Sequence, residues 1–443
     1  MSNGNAGKQL SLALQPAKQE REAPRYKRHA EPSVWNERML TALENGVKGG
    51  KWFSLIDKVV RRSNLTASWA KVKSRKGAPG ADGVTLAQFE HRLEQEFNLL
   101  NGKLSDATFK PAVVRRVEIP KPDGKKRPLG IPTVRDRVAQ GATKNVIEPI
   151  FEKDFSDHSY GFRPGLGCKN ALKEVYSLLT SEHVWVLDAD IKSYFDTIDH
   201  EILLCKVREK IADGKVIKLI ELYLKQGILD GVKEWTPETG TPQGAVLSPL
   251  LANIYLDGLD KLMENESFRM VRYADDFVIL TKSESEAKKA LEIVREYMRK
   301  HKLELHGDKT KIVDARGEEG FDFLGYNFSQ GGKKRPRKKS LQKFKDKVRW
   351  LTRRSSGQSM SAIVEKLNPV LRGWFEYFKH SWKYIFWDMD SWIRRRLRSI
   401  LMKFNKERTA HGGFENKRWP NAYFAELGLY SLKEAHLKAC KSL

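Results

Sequence analysis

Apolar residues recur at helical spacing from Trp35 to Leu100, which predicts helices over that stretch. The pattern breaks at Lys76-Gly-Ala-Pro-Gly-Ala-Asp-Gly83, where three glycines and a proline predict a structured loop. Val113 to Ile119 is β-prone and leads into Pro120-Lys-Pro-Asp-Gly124, a turn by composition. Strands and helices then alternate to about Phe328. Within that region Val184 to Ile191 is a short apolar run ending in acids, the pattern of a buried strand. Met270 to Leu280 places two β-rich runs around Ala-Asp-Asp, the pattern of a tight hairpin, and a helix is predicted from Val246 to Leu262. Gly331 to Lys339 reads as a basic hinge, beyond which helices return with Trp350, Trp374, Trp382 and Trp392 among arginines and lysines. Met1 to Pro32 is rich in Lys, Gln, Glu, Pro and Gly and reads as a flexible leader. No internal repeat is visible. The predicted organisation is a basic leader over 1–34, a helical extension over 35–112, an α/β body over 113–332, a helical segment over 333–405 and a basic C-terminal segment over 406–443.

With 443 residues, 40% of them apolar and 10% aromatic, the chain can bury the cores of two or three domains. No apolar run approaches the roughly 20 residues that span a bilayer, and the polar N-terminus has no apolar signal core. Cys168, Cys205 and Cys440 lie far apart, which argues against a disulfide framework or a paired-cysteine zinc site and fits a reducing cytoplasm. The net charge of +25 points to a polyanionic partner. From Gly331 to Leu443 there are 28 Lys and Arg against 9 Asp and Glu, a net of +19, which leaves +6 for the first 330 residues. A nearly balanced body thus carries a strongly basic end.

The acids at the predicted strand ends are the candidate chemistry. A carboxylate buried at a strand end is costly unless a cation accompanies it. Alone, Asp190 also reads as the cap of a following helix. The adjacent pair Asp275 and Asp276 is harder to explain so simply. Tyr273 and Phe277 bracket it, its flanking strands are apolar, and two neighbouring carboxylates beside a buried sheet repel without a cation between them. One acid from a strand end and two from a hairpin can clasp a pair of Mg²⁺ ions, which take few protein carboxylates and fill their shells with phosphate and water. Two such ions stabilise the attacking and leaving oxygens of an in-line phosphoryl displacement.

A series of blocks follows in order: Arg127-Pro-Leu-Gly-Ile-Pro-Thr133, Ser159-Tyr-Gly-Phe-Arg-Pro164, Asp190-Ile-Lys-Ser-Tyr-Phe-Asp196, Thr241-Pro-Gln-Gly244 with Leu247-Ser-Pro249, Tyr273-Ala-Asp-Asp276, Gly307-Asp-Lys-Thr310 and Phe323-Leu-Gly-Tyr326. This order resembles the reverse-transcriptase blocks of group II intron-encoded proteins (maturases). Gly77 to Thr85 is similar to that lineage's N-terminal extension, and Leu371-Arg-Gly-Trp-Phe-Glu-Tyr-Phe378 to its thumb, or maturase, segment. The resemblance runs from about Phe53 to Leu401. It implies an α/β (α+β) right-hand polymerase, fingers and palm with an antiparallel palm sheet, followed by an all-helical thumb. The implied reaction is RNA-directed DNA synthesis from a primer 3′-hydroxyl, on an RNA template with a DNA or RNA primer and dNTPs.

By the same resemblance, Asp190, Asp275 and Asp276 are catalytic and, with Ile191, form the site for two Mg²⁺ ions, with Mn²⁺ as a substitute. Phe195 falls where the family places an aromatic gate beneath the sugar, and Gln243 where it faces the incoming nucleotide. Lys121 and Arg127 resemble residues that hold the triphosphate, and Lys309 one that assists the pyrophosphate side. Structured intron RNA is the implied further partner, and Cys440 without a His-Asn-His-like cluster resembles the endonuclease-lacking branch. A relative domesticated for DNA repair or phage defence would carry the same blocks. At the basic end, most aromatics at helical spacing are expected in a core. Arg394, Arg395, Arg396 and Arg398, with Lys333, Lys334 and Arg335, are expected on nucleic acid, because guanidinium groups match phosphate geometry.

Overall fold

A computed structural model of the chain describes residues 23–120, 126–231, 233–329, 333–355, 357–405 and 414–441. Its strands, in chain order, are β1 Val114–Pro120, β2 Lys126–Ile131, β3 Trp185–Asp190, β4 Ile228–Asp230, β5 Lys233–Trp235, β6 Arg269–Tyr273, β7 Asp276–Thr281, β8 Lys311–Asp314, β9 Phe321–Phe323, β10 Tyr326–Ser329 and β11 Lys333–Pro336. They form three sheets, ordered β2-β1-β4-β5, β6-β7-β3-β8 and β11-β10-β9.

The central sheet β6-β7-β3-β8 is antiparallel throughout, as expected of a palm. Its inner strands are apolar on both faces because both faces are covered. Side chains alternate along a strand, so Leu187, Ala189, Phe277 and Ile279 enter the large core beneath helices Ser248–Asn265 and Glu284–Lys300. Val186, Val278 and Leu280 enter a second core with helix Cys168–Thr180 and strands β9 and β10. Asp188, Asp190 and Asp276 share the parity of this second face, toward the strand ends where the apolar cover stops.

The fingers sheet joins the hairpin β1–β2 to β4 in a parallel pairing. Behind it, helix Val134–Glu152 is buried along most of its length and packs on helix Arg62–Ser74. The loop of residues 76–83 holds to this body. Arg137 donates to the Ala78 carbonyl at 2.7 Å, and a Cβ on Gly80 would sit 2.6 Å from the Thr133 Cα, so only glycine fits that approach.

Three expected boundaries move. Residues 24–34 belong to the body and not to a leader. Val34 is buried, and Arg25 donates at 2.7 Å to Glu152, a buried carboxylate that Arg163 also engages. Residues 333–336 are a strand and not a hinge, since β11 pairs with β10 from Tyr326↔Pro336 to Ser329↔Lys333. Residues 414–441 are no separate basic segment. Trp419, Phe424 and Leu432 join the thumb core of helices Lys338–Leu351, Met360–Phe378 and Tyr384–Phe404. The buried Asp390 carboxylate caps the last helix, accepting from Ser431 Oγ at 2.8 Å, Leu432 N at 3.0 Å and Lys433 N at 3.1 Å. Among the described residues no helix is long and apolar enough to cross a membrane.

The palm helix is tied to its sheet by one ion pair. Arg272, at 1% exposure in the middle of β6, donates through Nε to Asp260 Oδ1 at 2.7 Å and through a second nitrogen to Asp260 Oδ2. Removing one partner of such a pair strands a buried charge, at a cost of about 3–5 kcal/mol. Asp260→Ala is therefore expected to lower unfolding stability by roughly that amount in urea titration. The double variant Asp260→Leu with Arg272→Met should recover a large part of it. A single variant as stable as the wild type would contradict this reading.

Candidate active site

Tyr273 and Asp276 pair across the β6–β7 hairpin, leaving Ala274 and Asp275 as a two-residue turn. Ala274 has φ +62°, a left-handed conformation in which hairpin turns favour glycine. The strain is held from below. Arg272 donates from one terminal nitrogen both to the Ala274 carbonyl and to Asn253 Oδ1, each at 3.0 Å. Asn253 Nδ2 in turn donates to the Gly161 carbonyl at 2.8 Å. Gly161, in the Ser159–Pro164 block, packs so closely on the turn that a Cβ there would overlap the Ala274 nitrogen. Two sequence blocks more than 100 residues apart thus meet backbone to backbone.

On the other side β7 pairs with β3 in a register that sets Asp190 opposite Asp276. Cross-strand neighbours stand about 4.5–5.5 Å apart at Cα, so the three predicted acids occupy one edge of the sheet. Their electrostatics reflect crowding in a sparsely hydrated place. Burial raises Asp276 to about 7, with the charges of Asp188, Asp190 and Asp275 pushing the same way and Arg337 opposing. Burial also raises Asp275; Asp190 adds to that rise, while Arg127 and Lys309 oppose it. Asp188 is lifted to about 6 by burial, against the pull of Lys311. Lys309 is exposed and pairs through Nζ with the Asp190 carboxylate.

A divalent cation suits this edge, because its charge would relieve the repulsion that raises Asp275 and Asp276. Among the described residues, no three His, Cys, Asp or Glu side chains close into a ready-made metal cage. A hard divalent ion takes one or two protein carboxylates and completes its shell with water and phosphate. Ile191 is buried and offers no side-chain donor, so any part it has at a metal falls to its main-chain carbonyl.

Phe195 stands beside Asp190 on the short helix Tyr194–Thr197. It is half-buried, edge-on to the exposed ring of Phe162 at 6.3 Å, whereas Tyr194 is fully buried and donates to the Ala252 carbonyl at 2.6 Å. Gln243 is gripped at both ends. Its Oε1 accepts from Arg127 Nε at 2.8 Å, its Nε2 donates to the Asp196 carboxylate at 3.3 Å, and its own carbonyl accepts from Gly130 N at 2.7 Å. Gln243, Asp196, Arg116 and Trp235 line a cavity of about 320 Å³ between fingers and palm. A second, open cavity of about 630 Å³ lies between palm and thumb, lined by Asp276, Arg337, Lys343, Lys347 and Trp374. Lys121 lies outside the described residues.

The basic residues divide. Arg395 is exposed, while Arg394 lies 3.7 Å from the Asp390 carboxylate and Arg396 donates to Thr352 Oγ1 at 2.8 Å. Arg398, expected on nucleic acid, is corrected to an internal brace. It is 7% exposed and donates to the Trp419 carbonyl and Asn421 Oδ1, each at 2.9 Å. It follows Leu397 on the core-facing side of its helix. Lys333 and Arg335 point to the ring of Trp382, whereas Lys334 is half-buried over the Tyr176 ring at 3.7 Å.

Sequence reasoning assigned no role to Asp188, Asp196, Arg337 or Arg272. Asp188 was legible, because two residues before Asp190 on a strand means the same face. Arg272 carried a signal as well, a guanidinium inside an apolar strand that needs a buried partner. Arg337 and Asp196 gave none, since only tertiary packing brings them to the site.

Comparison with known proteins agrees with this geometry. Residues 119–328 match the family described as reverse transcriptase (RNA-dependent DNA polymerase), and residues 341–419 match the group II intron maturase-specific domain. Protein YkfC of Escherichia coli (strain K12) is 37% identical over 297 residues, which cover 57% of this chain and 77% of YkfC. The group II intron-encoded protein LtrA of Lactococcus lactis subsp. cremoris is 30% identical over 373 residues, 69% of this chain and 60% of LtrA, so the chain spans less than two thirds of that relative. Among solved structures, a partial Cas6-RT-Cas1–Cas2 complex aligns at 25% identity over 56% of this chain and 41% of that one, with a TM-score of 0.37. With both domain types in order on one chain, and a relative matched over most of its length, the protein belongs to the group II intron reverse transcriptase and maturase family, and is an RNA-directed DNA polymerase.

Proposed function

We propose that the chain extends a primer 3′-hydroxyl with deoxynucleotides at the Asp190, Asp275 and Asp276 edge, and that it also binds a structured intron RNA through its thumb. The observation that carries this reading is the Asp190↔Asp276 register, which gathers three carboxylates, two of them with raised pKa, at an open face between fingers and thumb. Two bound Mg²⁺ ions, or Mn²⁺ in their place, would offset charge on the attacking and leaving oxygens of the displacement.

The chain's own residues supply positioning. Arg127 and Asp196 fix the Gln243 amide from both ends, so its polar edge is held ready for a nucleotide. Phe195, backed by Tyr194, offers a ring face that clashes with a ribose 2′-hydroxyl. Lys309 holds a positive charge beside Asp190 and would meet a departing pyrophosphate. Lys121 belongs to the same reading as a triphosphate contact. Arg395, Lys333 and Arg335 are the exposed basic residues proposed for phosphate contact. A cytoplasmic, RNA-associated location accompanies this reading.

Asp190→Asn and Asp275→Asn should each reduce primer extension by at least ~10²-fold, while RNA affinity in filter binding stays at the wild-type level. Extension near wild type in either variant would end the assignment.

Phe195→Val should raise the use of rNTPs relative to dNTPs by roughly 10-fold, read by single-nucleotide kinetics. An unchanged ratio would place Phe195 in the core alone.

Asp276 also sets a pH dependence. Its pKa in the folded chain, about 7, lies above the ordinary carboxylate value. Its favourable contribution is therefore complete below about pH 4 and is lost as pH rises through about 7. In EDTA the protein should be less stable at pH 8 than at pH 5. Asp276→Asn should stabilise it at pH 8 by about 2 kcal/mol more than at pH 5. Urea titrations at the two pH values decide this, and parallel profiles for variant and wild type would refute it.

A further inference from the structure

At the junction of palm and thumb, the turn between helices Met360–Phe378 and Tyr384–Phe404 exposes aromatic rings where a core would be expected. Trp382 and Tyr384 are each 41% exposed. Trp382 meets Tyr384 at 4.8 Å between ring centres, and Tyr384 meets the half-buried Trp387 at the same distance. The backbone of the turn is tied to the palm side, since the Trp382 main-chain nitrogen donates at 2.8 Å to the Lys334 carbonyl of β11.

Cations surround them. Arg335 lies 4.8 Å and Lys333 5.8 Å from the Trp382 ring centre. Lys383 stands 5.3 Å from Tyr384, and Lys433 stands 5.3 Å from Trp387. Among the described residues, none of these four cations pairs with a carboxylate, and each lies against an aromatic ring.

We infer that this patch is a second nucleic-acid site, separate from the duplex cleft, which takes unpaired nucleotides of a single strand. A base stacks on any exposed aromatic face, while unpaired cations beside it track the phosphates, and such stacking is worth about 1–3 kcal/mol per base. A duplex hides its base faces and gains little from exposed rings. The patch also adjoins the site described above. β11 leads from Lys333 to Pro336, and the next residue, Arg337, lines the palm–thumb cavity beside Asp276. At about 3.3 Å per residue, a strand leaving that cavity reaches Trp382 within a few nucleotides. The inference rests on the polymerase reading only for this placement, not for the binding itself.

The test uses the full chain in EDTA without dNTPs, so that binding is read apart from synthesis. Fluorescein-labelled 12-mers of uridine and of thymidine, and a blunt RNA–DNA duplex, are titrated by anisotropy against wild type, Trp382→Ala/Tyr384→Ala and Trp382→Phe. The double variant should lose roughly 10-fold or more in affinity for the single strands, with duplex affinity unchanged, and Trp382→Phe should keep most of the binding. Loss on uridine alone or thymidine alone would assign the site to RNA or to DNA, and either supports it. Unchanged single-strand affinity, or an equal loss on duplex, would overturn it. So would a change in sedimentation between wild type and double variant, which would mark the rings as a contact between copies of the chain. Because both rings are exposed, the double variant should keep the wild-type melting temperature, which serves as the check on folding.

Discussion

The buried guanidinium of Arg272 makes contacts that no other side chain in the palm could combine. It neutralises Asp260 on the palm helix, satisfies Asn253 about two turns away on the same helix, and holds the carbonyl of Ala274 in the strained turn. A planar, permanently charged fork suits that task, whereas a lysine would offer one point of charge. Asp275 sits directly after the held carbonyl, so its placement depends on this anchor. The cost of burying an ion pair is offset here by hydrogen bonds to every partner that the geometry allows. Specifying the turn, more than stabilising the domain, explains why a charge lies at this depth.

The same logic runs outward. Gly161 approaches the turn from the Ser159–Pro164 block, and the neighbouring Arg163 is buried on Glu152, which also receives Arg25. The N-terminal residues, the fingers and the catalytic hairpin are thereby joined through a chain of buried polar contacts. The acids at the sheet edge stand in contrast. They are crowded, partly dehydrated and left without full compensation, which is the usual condition of a functional site and a poor one for stability.

Much of this was legible along the chain. The hairpin at Ala274–Asp275 followed from two β-rich runs around a turn, and the strand at Trp185–Asp190 from its apolar run. The basic stretch after Gly331 misled, because charge and proline suggested a hinge where the backbone pairs with β10. Sheet pairing is decided by a partner's hydrogen bonds, which leave no mark in local composition. Arg398 misled similarly. It reads as one of a run of arginines, yet its helix turns it toward Trp419.

By itself, the sequence determined the order of the blocks, the elements that carry them and the acids that bear the chemistry, because periodicity and residue type are local properties. Tertiary structure alone decided which acids meet. The Asp190↔Asp276 register, the approach of Arg337 to Asp276 and the bracing of Gln243 by Arg127 and Asp196 join residues far apart in the chain. Side chains separated by 47 or more residues share no local signal, and their distance is fixed only when the cores between them pack.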